Sequence, residues 1–241
     1  MTEVGHVVEA KNVFITGGTG YVGQRLAEAL VARGHRVRVL ARTASVSRVA
    51  PGATAIVGNA LDASSYVSAI RPGETIVHLV GTPHPSPAKA AEFQRVDRPS
   101  IEAAVAAASR ARAAHLVYVS VAHPAPVMKA YIEVRMAGER AIAKAGLTAT
   151  IIRPWYVLGP GHWWPVLLKP VYFLFGLIPS TRAGATRLGL VTIDQMLRTL
   201  VAAVENPPAP KTIRVWDVPE IRASGTPGRQ DKTRPTNVGE R

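Results

Sequence analysis

Residues 11–42 constrain this chain more than any other stretch, because they read apolar run, glycine cluster, helix, apolar run. Asn12-Val13-Phe14-Ile15-Thr16 is a short β-prone segment that leads straight into Gly17-Gly18-Thr19-Gly20-Tyr21-Val22-Gly23. A helical pattern follows over 21–33, with Val22, Leu26 and Leu30 recurring at i, i+4, i+8 and Gly34 placed to stop it. A second strand over 36–41 closes a βαβ unit. Within such a unit the glycines at 17, 20 and 23 each have a task that a side chain would spoil. One makes the tight turn, one lets the backbone approach a pyrophosphate, and one lets the helix pack close to the strand. The helix N-terminus then offers free N–H groups and a partial positive charge to phosphates. A glycine-rich turn alone is weak evidence. Lying between a strand and a helix, in a unit of about 30 residues, this one predicts a dinucleotide site on Gly17, Thr19, Gly20, Tyr21, Val22 and Gly23.

The segment after the second strand, Arg42-Thr43-Ala44-Ser45-Val46-Ser47-Arg48, decides which dinucleotide. NAD calls for an Asp or Glu on the ribose 2′-hydroxyl, whereas a 2′-phosphate calls for cations and hydroxyls. No acidic residue occurs between Glu28 and Asp62. NADP is therefore expected over NAD; the alternative is that Arg42 and Arg48 are only surface charges.

The remaining pattern alternates in the same way. Strands are expected at 54–57, 75–80, 116–120, 148–152 and 212–218, and helices at 87–113 (interrupted at Pro99), 131–146 and 191–205. The run at 75–80 is mostly apolar, as in a parallel strand covered on both faces. The expectation is one α/β domain over 1–221 with a substrate-side insertion at 155–190. From Arg222 onward Gly, Pro, Thr and charges dominate, and a disordered tail is expected over 222–241.

Composition narrows the function classes. At 241 residues and 47% apolar the chain suits one globular α/β domain. The absence of cysteine removes disulfides and thiolate metal sites, and no two of the seven histidines are spaced i, i+4, so no metal is expected. The net charge of +13 is dispersed, without a Lys/Arg block or an aromatic-interleaved basic strip. It reads as a solvated surface around an anionic cofactor, and no nucleic-acid partner is expected. Residues 1–11 lack a signal-peptide apolar core, and the greasy run 166–178 is broken by Lys169 and Pro170 and too short to cross a bilayer. A soluble cytoplasmic protein with a small-molecule substrate is the expectation; attachment to a membrane surface through 166–178 is a weaker reading.

Thr16-Gly17-Gly18-Thr19-Gly20-Tyr21-Val22-Gly23 resembles the nucleotide loop of the short-chain dehydrogenase/reductase superfamily, in its extended and atypical branches, which space the glycines G-x-x-G-x-x-G. Within them the sequence is most similar to the NAD(P)H-binding, NmrA-like and epimerase-like proteins. The resemblance implies a Rossmann-type doubly wound parallel sheet of order 3-2-1-4-5-6, with room for a seventh strand. It also implies that Arg42 takes the phosphate and that Asn59 and Ala60 cover the adenine edge, Asn59 standing for the relatives' Asp. His78-Leu79-Val80-Gly81 resembles the His-Leu-Ala-Gly of extended members, so Val80 and Gly81 would pass over the cofactor ribose, with His78 structural. Asp97 stands where many relatives carry an Asn.

Tyr131-Ile132-Glu133-Val134-Arg135 aligns with the superfamily's Tyr-x-x-x-Lys, whose two side chains share one helix face. In relatives the Tyr passes a proton and the Lys lowers its pKa and binds the nicotinamide ribose; here Arg135 would take the Lys role, and Ser120 the Ser/Thr role. Ser120 matches the first of a Ser-Ser pair, so the usual catalytic position falls on Val121. Arg153-Pro154 and Gly159-Pro160-Gly161 resemble the relatives' Arg-Pro…Gly-Pro segment, with Pro154 near the cofactor. The implied activity is an NADP-dependent oxidoreductase or epimerase-like enzyme on a small carbonyl or hydroxyl compound. The drift at Val121 and Arg135 keeps open a protein that only holds NADPH, as a sensor or accessory subunit. His162-Trp163-Trp164-Pro165 and 166–178 would either bind an apolar or quinone-like ligand or serve as core and lid packing.

Overall fold

The computed structural model describes residues 9–160 and 189–224. Strand β1 (Asn12–Thr16) leads through the glycine loop into α1 (Tyr21–Ala32), and β2 (Arg36–Ala41) returns parallel beside β1. Strand β3 (Thr54–Val57) adds outside β2. The chain then crosses to the other side of β1, where β4 (Thr75–His78), β5 (His115–Val119) and β6 (Ala149–Ile152) follow in turn. A last strand, β9 (Ile213–Trp216), pairs with β6 and gives the all-parallel order β3-β2-β1-β4-β5-β6-β9. The expected order and the seventh strand are both present. The direction of growth reverses between β1 and β4, and a doubly wound sheet holds its ligand in the crevice outside the strand ends at such a reversal.

Alternate residues of each strand feed two cores. Val13, Ile15, Val39, Val77 and Val117 point to one face, where they meet Leu26 and Leu30 of α1 and Met196 and Leu200 of α4 (Ile193–Glu205). Phe14, Leu40, Ile76, Leu116 and Tyr118 point to the other, against α2 (Arg98–Arg110) and α3 (Lys129–Lys144). Both faces are covered, which is why β4 reads as an unbroken buried run.

The helical segment before β5 is interrupted, though not by Pro99. A single turn at Ala90–Glu92 passes through a π-helical turn, Phe93–Asp97, before α2 begins. Pro99 follows two residues after that turn, at the start of α2. Asp97, at the end of the π-turn, is 1% exposed.

Two features escaped the sequence reading. A parallel pair of three-residue strands, β7 (Tyr156–Leu158) and β8 (Leu190–Thr192), forms a separate ribbon at the carboxyl edge. After β9 the chain forms α5 (Val218–Ala223), started by an Asp217/Glu220 capping box. A tail beginning at Arg222 is therefore set too early. Arg222 Nε and Nη2 donate to the Leu190 carbonyl at 3.0 and 2.8 Å, clasping α5 to β8. Residues 225–241 lie outside the described residues, as do the His162–Pro165 cluster, the 166–178 run and most of the 155–190 insertion. Among the described residues no helix is long and apolar enough to cross a membrane, and no cluster of three or more His, Asp or Glu could hold a metal.

Candidate functional site

The glycine loop divides its three tasks as its residue types require. Gly17 has φ +79°, and a Cβ there would press on the Leu79–Val80 backbone at 2.7–2.8 Å, so only glycine lets β1's exit lie against β4's. Gly23 is buried in the first turn of α1, and a Cβ there would run into the Gly17 carbonyl oxygen and come within 2.6 Å of Gly18 Cα. Gly20 is different: a Cβ there would meet only Gly17 O, at 3.3 Å. The exposed Gly20 is the N-cap of α1, with no side-chain cap and no acidic residue in the first turn. By contrast α4 and α5 are both closed by capping boxes. The first-turn amides of α1, at Tyr21, Val22 and Gly23, have no acceptor within their own helix. A bare N-terminus beside an open glycine suits a pyrophosphate. Thr19 is half-buried in the same turn. Tyr21 points towards the ribbon, where a Cβ on Gly159 would collide with its hydroxyl, and Arg25 lies 4.2 Å from its ring centroid.

Arg42 follows β2 and is exposed; its side chain makes no hydrogen bond or ion pair among the described residues. Arg48 is instead tied back to Ser45 Oγ at 2.8 Å. Asn59 accepts from Leu61 N at 3.1 Å through its side-chain oxygen, which leaves its amide hydrogens as donors on an exposed edge beside Ala60.

Val80, Gly81, Asp97, Tyr131 and Arg135 come together at the carboxyl ends of β4 and β5. Arg135 is 5% exposed, and its Nη2 donates to Asp97 Oδ1 at 2.7 Å. Its Nη1 donates to the carbonyls of Val119 at 3.1 Å and Val80 at 3.4 Å. Asp97 Oδ2 accepts from Thr82 N at 3.0 Å and Thr82 Oγ1 at 2.6 Å. Burial opposes the Arg135 charge, but Tyr131, Tyr118 and Asp97 outweigh it, so its pKa lies above the ordinary guanidinium value. The guanidinium carbon lies 5.0 Å from the Tyr131 ring centroid, one helical turn away, and the Phe93 ring packs on the same phenol at 4.9 Å between centroids. Arg135 Nε is buried without a partner. Gly81 is required here on its own account, since a Cβ would strike Arg135 Nη2.

His78 supports this group from below and is not exposed to solvent. Its Nδ1 is 2.8 Å from Thr16 Oγ1 and its Nε2 is 3.4 Å from Ser100 Oγ. Burial, then the nearby Arg135 charge, hold its pKa down at about 3, so it is neutral and structural.

Ser120 has a partner the sequence did not announce. Its hydroxyl donates to Glu139 Oε1 at 2.6 Å, and no hydrogen bond joins it to Tyr131 among the described residues. Glu139 stands one further turn along the Tyr131–Arg135 face and also takes both arms of Arg153, with His123 Nε2 3.5 Å away. Burial would raise its pKa, but the nearby His123 and the hydrogen bonds from Arg153 and Ser120 outweigh burial and hold it at about 2. The i, i+4, i+8 spacing of Tyr131, Arg135 and Glu139 was the available signal for this residue. Pro154 is buried, and its carbonyl accepts from Ala122 N at 2.9 Å, joining the β6 exit to the β5 exit.

The residues present fit a nicotinamide dinucleotide: an uncapped helix start, an open glycine, an unpaired arginine after β2, and an orphaned donor beside a phenol. Known proteins agree. The profile of the family described as NAD(P)H-binding matches residues 17–159. Ceramide reductase of Caulobacter vibrioides is 29% identical over 216 residues, covering 88% of this chain and 66% of that protein. A 4-hydroxy-2-methyl-3-oxo-4-farnesyl-3,4-dihydroquinoline-1-oxide ketoreductase of Stigmatella aurantiaca is 29% identical over 168 residues, covering 61% of this chain and 50% of that protein. The chain thus spans 66% and 50% of the lengths of these two relatives. Among solved structures, the Bordetella bronchiseptica enzyme WbmH in complex with NAD+ shares the fold at a TM-score of 0.61 and 22% identity, covering 82% of this chain and 73% of that one.

Proposed function

The chain belongs to the NAD(P)H-binding family, within the short-chain dehydrogenase/reductase superfamily, and on that premise we propose that it is an NADPH-dependent oxidoreductase of a carbonyl or hydroxyl compound. An apolar compound is the first choice of substrate, because the names of the two relatives, a ceramide reductase and a farnesyl-quinoline ketoreductase, both describe lipophilic molecules. The observation that carries the reading is the half-buried Tyr131, with the fixed charge of Arg135 5.0 Å from its ring at the carboxyl edge of the sheet.

When bound, the nicotinamide would supply or accept the hydride. The protein would do the rest. Gly20 and the first-turn amides of α1 would hold the pyrophosphate, Arg42 the 2′-phosphate, Asn59 and Ala60 the adenine edge, and the Val80–Gly81 backbone the ribose side of the cleft. In the reducing direction Tyr131 Oη would give its proton to the substrate oxygen, and Arg135, always charged, would stabilise the tyrosinate left behind. Oxidation would run the same proton transfer backwards, and an epimerase-like cycle would use both directions in turn.

The second reading, a protein that holds NADPH without turning it over, is favoured by one observation. Ser120 and Arg135, two of the three residues aligned with the family's catalytic set, are engaged with carboxylates of the fold. Nicotinamide absorbance with a panel of apolar aldehydes and ketones separates the two. The enzyme reading expects NADPH oxidation that falls about 10²- to 10⁴-fold in Tyr131→Phe, with the thermal midpoint unchanged. Turnover undiminished in Tyr131→Phe overturns the mechanism. Tight NADPH binding with no turnover on any compound selects the second reading.

A further inference from the structure

Two departures from the family pattern, Arg135 for the usual Lys and Asp97 for the usual Asn, lie far apart in sequence, yet their side chains meet at 2.7 Å. We infer that they are one coupled exchange, in which Asp97 is the positioning residue that makes an arginine usable beside Tyr131. The inference rests on the reading of this cleft as the nicotinamide end of an NADPH site.

The geometry argues for coupling in three ways. First, a buried guanidinium needs a charge partner, because a lone buried charge is far costlier than a paired one. Asp97 is the carboxylate that Arg135 meets, and both are almost fully buried. Second, Asp97 Oδ2 accepts from both the backbone N–H and the hydroxyl of Thr82, which turns Oδ1 to Arg135 and gives its fork one fixed direction. That direction places Nη1 on the Val119 and Val80 carbonyls and leaves Nε as a buried donor without a partner. Third, a Cβ at Gly81 would strike Arg135 Nη2, so the bare Cα at 81 is needed to fit this side chain where it lies.

A lysine at 135 would not restore the family arrangement by itself. Its ammonium stops short of where Nη2 lies, is a point charge without a fork, and would leave the Val119 and Val80 carbonyls and part of Asp97 without donors. An asparagine at 97 would leave the arginine without a counter-charge. Only the two changes together would return a neutral amide facing a lysine.

The test is a double-substitution cycle on the full chain, with Asp97→Asn, Arg135→Lys and the pair, each read by thermal midpoint without cofactor and by NADPH fluorescence titration well below every midpoint. Each single substitution should lower NADPH affinity at least about tenfold, and the double should recover to within about threefold of the unchanged protein. Thr82→Val, which keeps the ion pair and the backbone donor but removes the hydroxyl bond that helps orient Asp97, should lower affinity a few-fold with a nearly unchanged midpoint. That variant serves as the readout where a single substitution fails to fold. The inference is overturned if the double is no better than the sum of the singles. It is equally overturned if folded singles, or Thr82→Val, bind NADPH as the unchanged protein does, which would make the pair merely structural. Failure of the unchanged protein to bind NADPH would instead sink the cofactor reading, while the midpoints would still report whether the two residues are coupled.

Discussion

Gly23 lies so close to Gly17 that a Cβ on it would collide with the Gly17 carbonyl oxygen, whereas a Cβ on the exposed Gly20 would meet only that same oxygen, at 3.3 Å. The two positions should therefore respond to alanine in opposite ways. Gly23→Ala forces backbone apart in a packed loop and should cost about 1–3 kcal/mol of stability along with cofactor binding. Gly20→Ala should keep a thermal midpoint within a few degrees of the unchanged protein yet lose at least about tenfold in cofactor affinity, ~1.4 kcal/mol. Thermal melts paired with binding titrations check this, and equal loss of stability in both variants would contradict it.

A second expectation follows from the neutral, buried His78, held at about 3 against an ordinary value of 6.5. Below about pH 6.5 the unfolded chain takes up a proton that the folded chain refuses until about pH 3. Stability should therefore be independent of this group above 6.5 and fall by about 1.4 kcal/mol per pH unit as pH drops through that window. His115, held at about 4 by burial and by Arg214, adds in the same direction. Urea unfolding at pH 7 and pH 5 should reveal a larger loss for the unchanged protein than for His78→Asn. Equal losses would contradict it.

Ser120 and Glu139 give a third. The hydroxyl donates to a buried carboxylate, so Ser120→Ala should destabilise by about 1.5–3 kcal/mol, the usual range for a bond to a charged group. Glu139, held at about 2, contributes stability that is present above about pH 4.5 and is lost as pH falls towards 2. Without the Ser120 donor its pKa should rise, and acid unfolding should begin at higher pH. Turnover should change only a few-fold. A loss of about a hundredfold in turnover with an unchanged melt would instead make Ser120 a catalytic hydroxyl.

The strand order, the glycine loop and the Tyr131–Arg135 face were legible because each is written in local periodicity: an apolar run, a 3.6-residue helical stripe, glycines at fixed offsets. What local pattern could not carry was pairing at a distance. Asp97 and Arg135 are 38 residues apart, and nothing in either neighbourhood names the other. The departures at both positions were visible singly, and only the fold joins them. The β7–β8 ribbon escaped because three-residue strands leave no period to read. Helix α5 was legible in principle, since Asp217 and Glu220 have capping-box spacing, but the polar residues after it masked its short apolar face.

The central claim, that the crevice between β1 and β4 is an NADPH site with Arg42 reading the 2′-phosphate, is tested most directly by titrating the purified full chain with NADPH and with NADH by nicotinamide fluorescence. A charge-assisted phosphate contact of about 1.5–3 kcal/mol predicts NADPH binding tighter by roughly ten- to a hundredfold, with most of that preference erased in Arg42→Ala. Equal affinity for the two, or a preference unmoved by Arg42→Ala, would contradict the assignment of Arg42, and no binding of either would contradict the site itself.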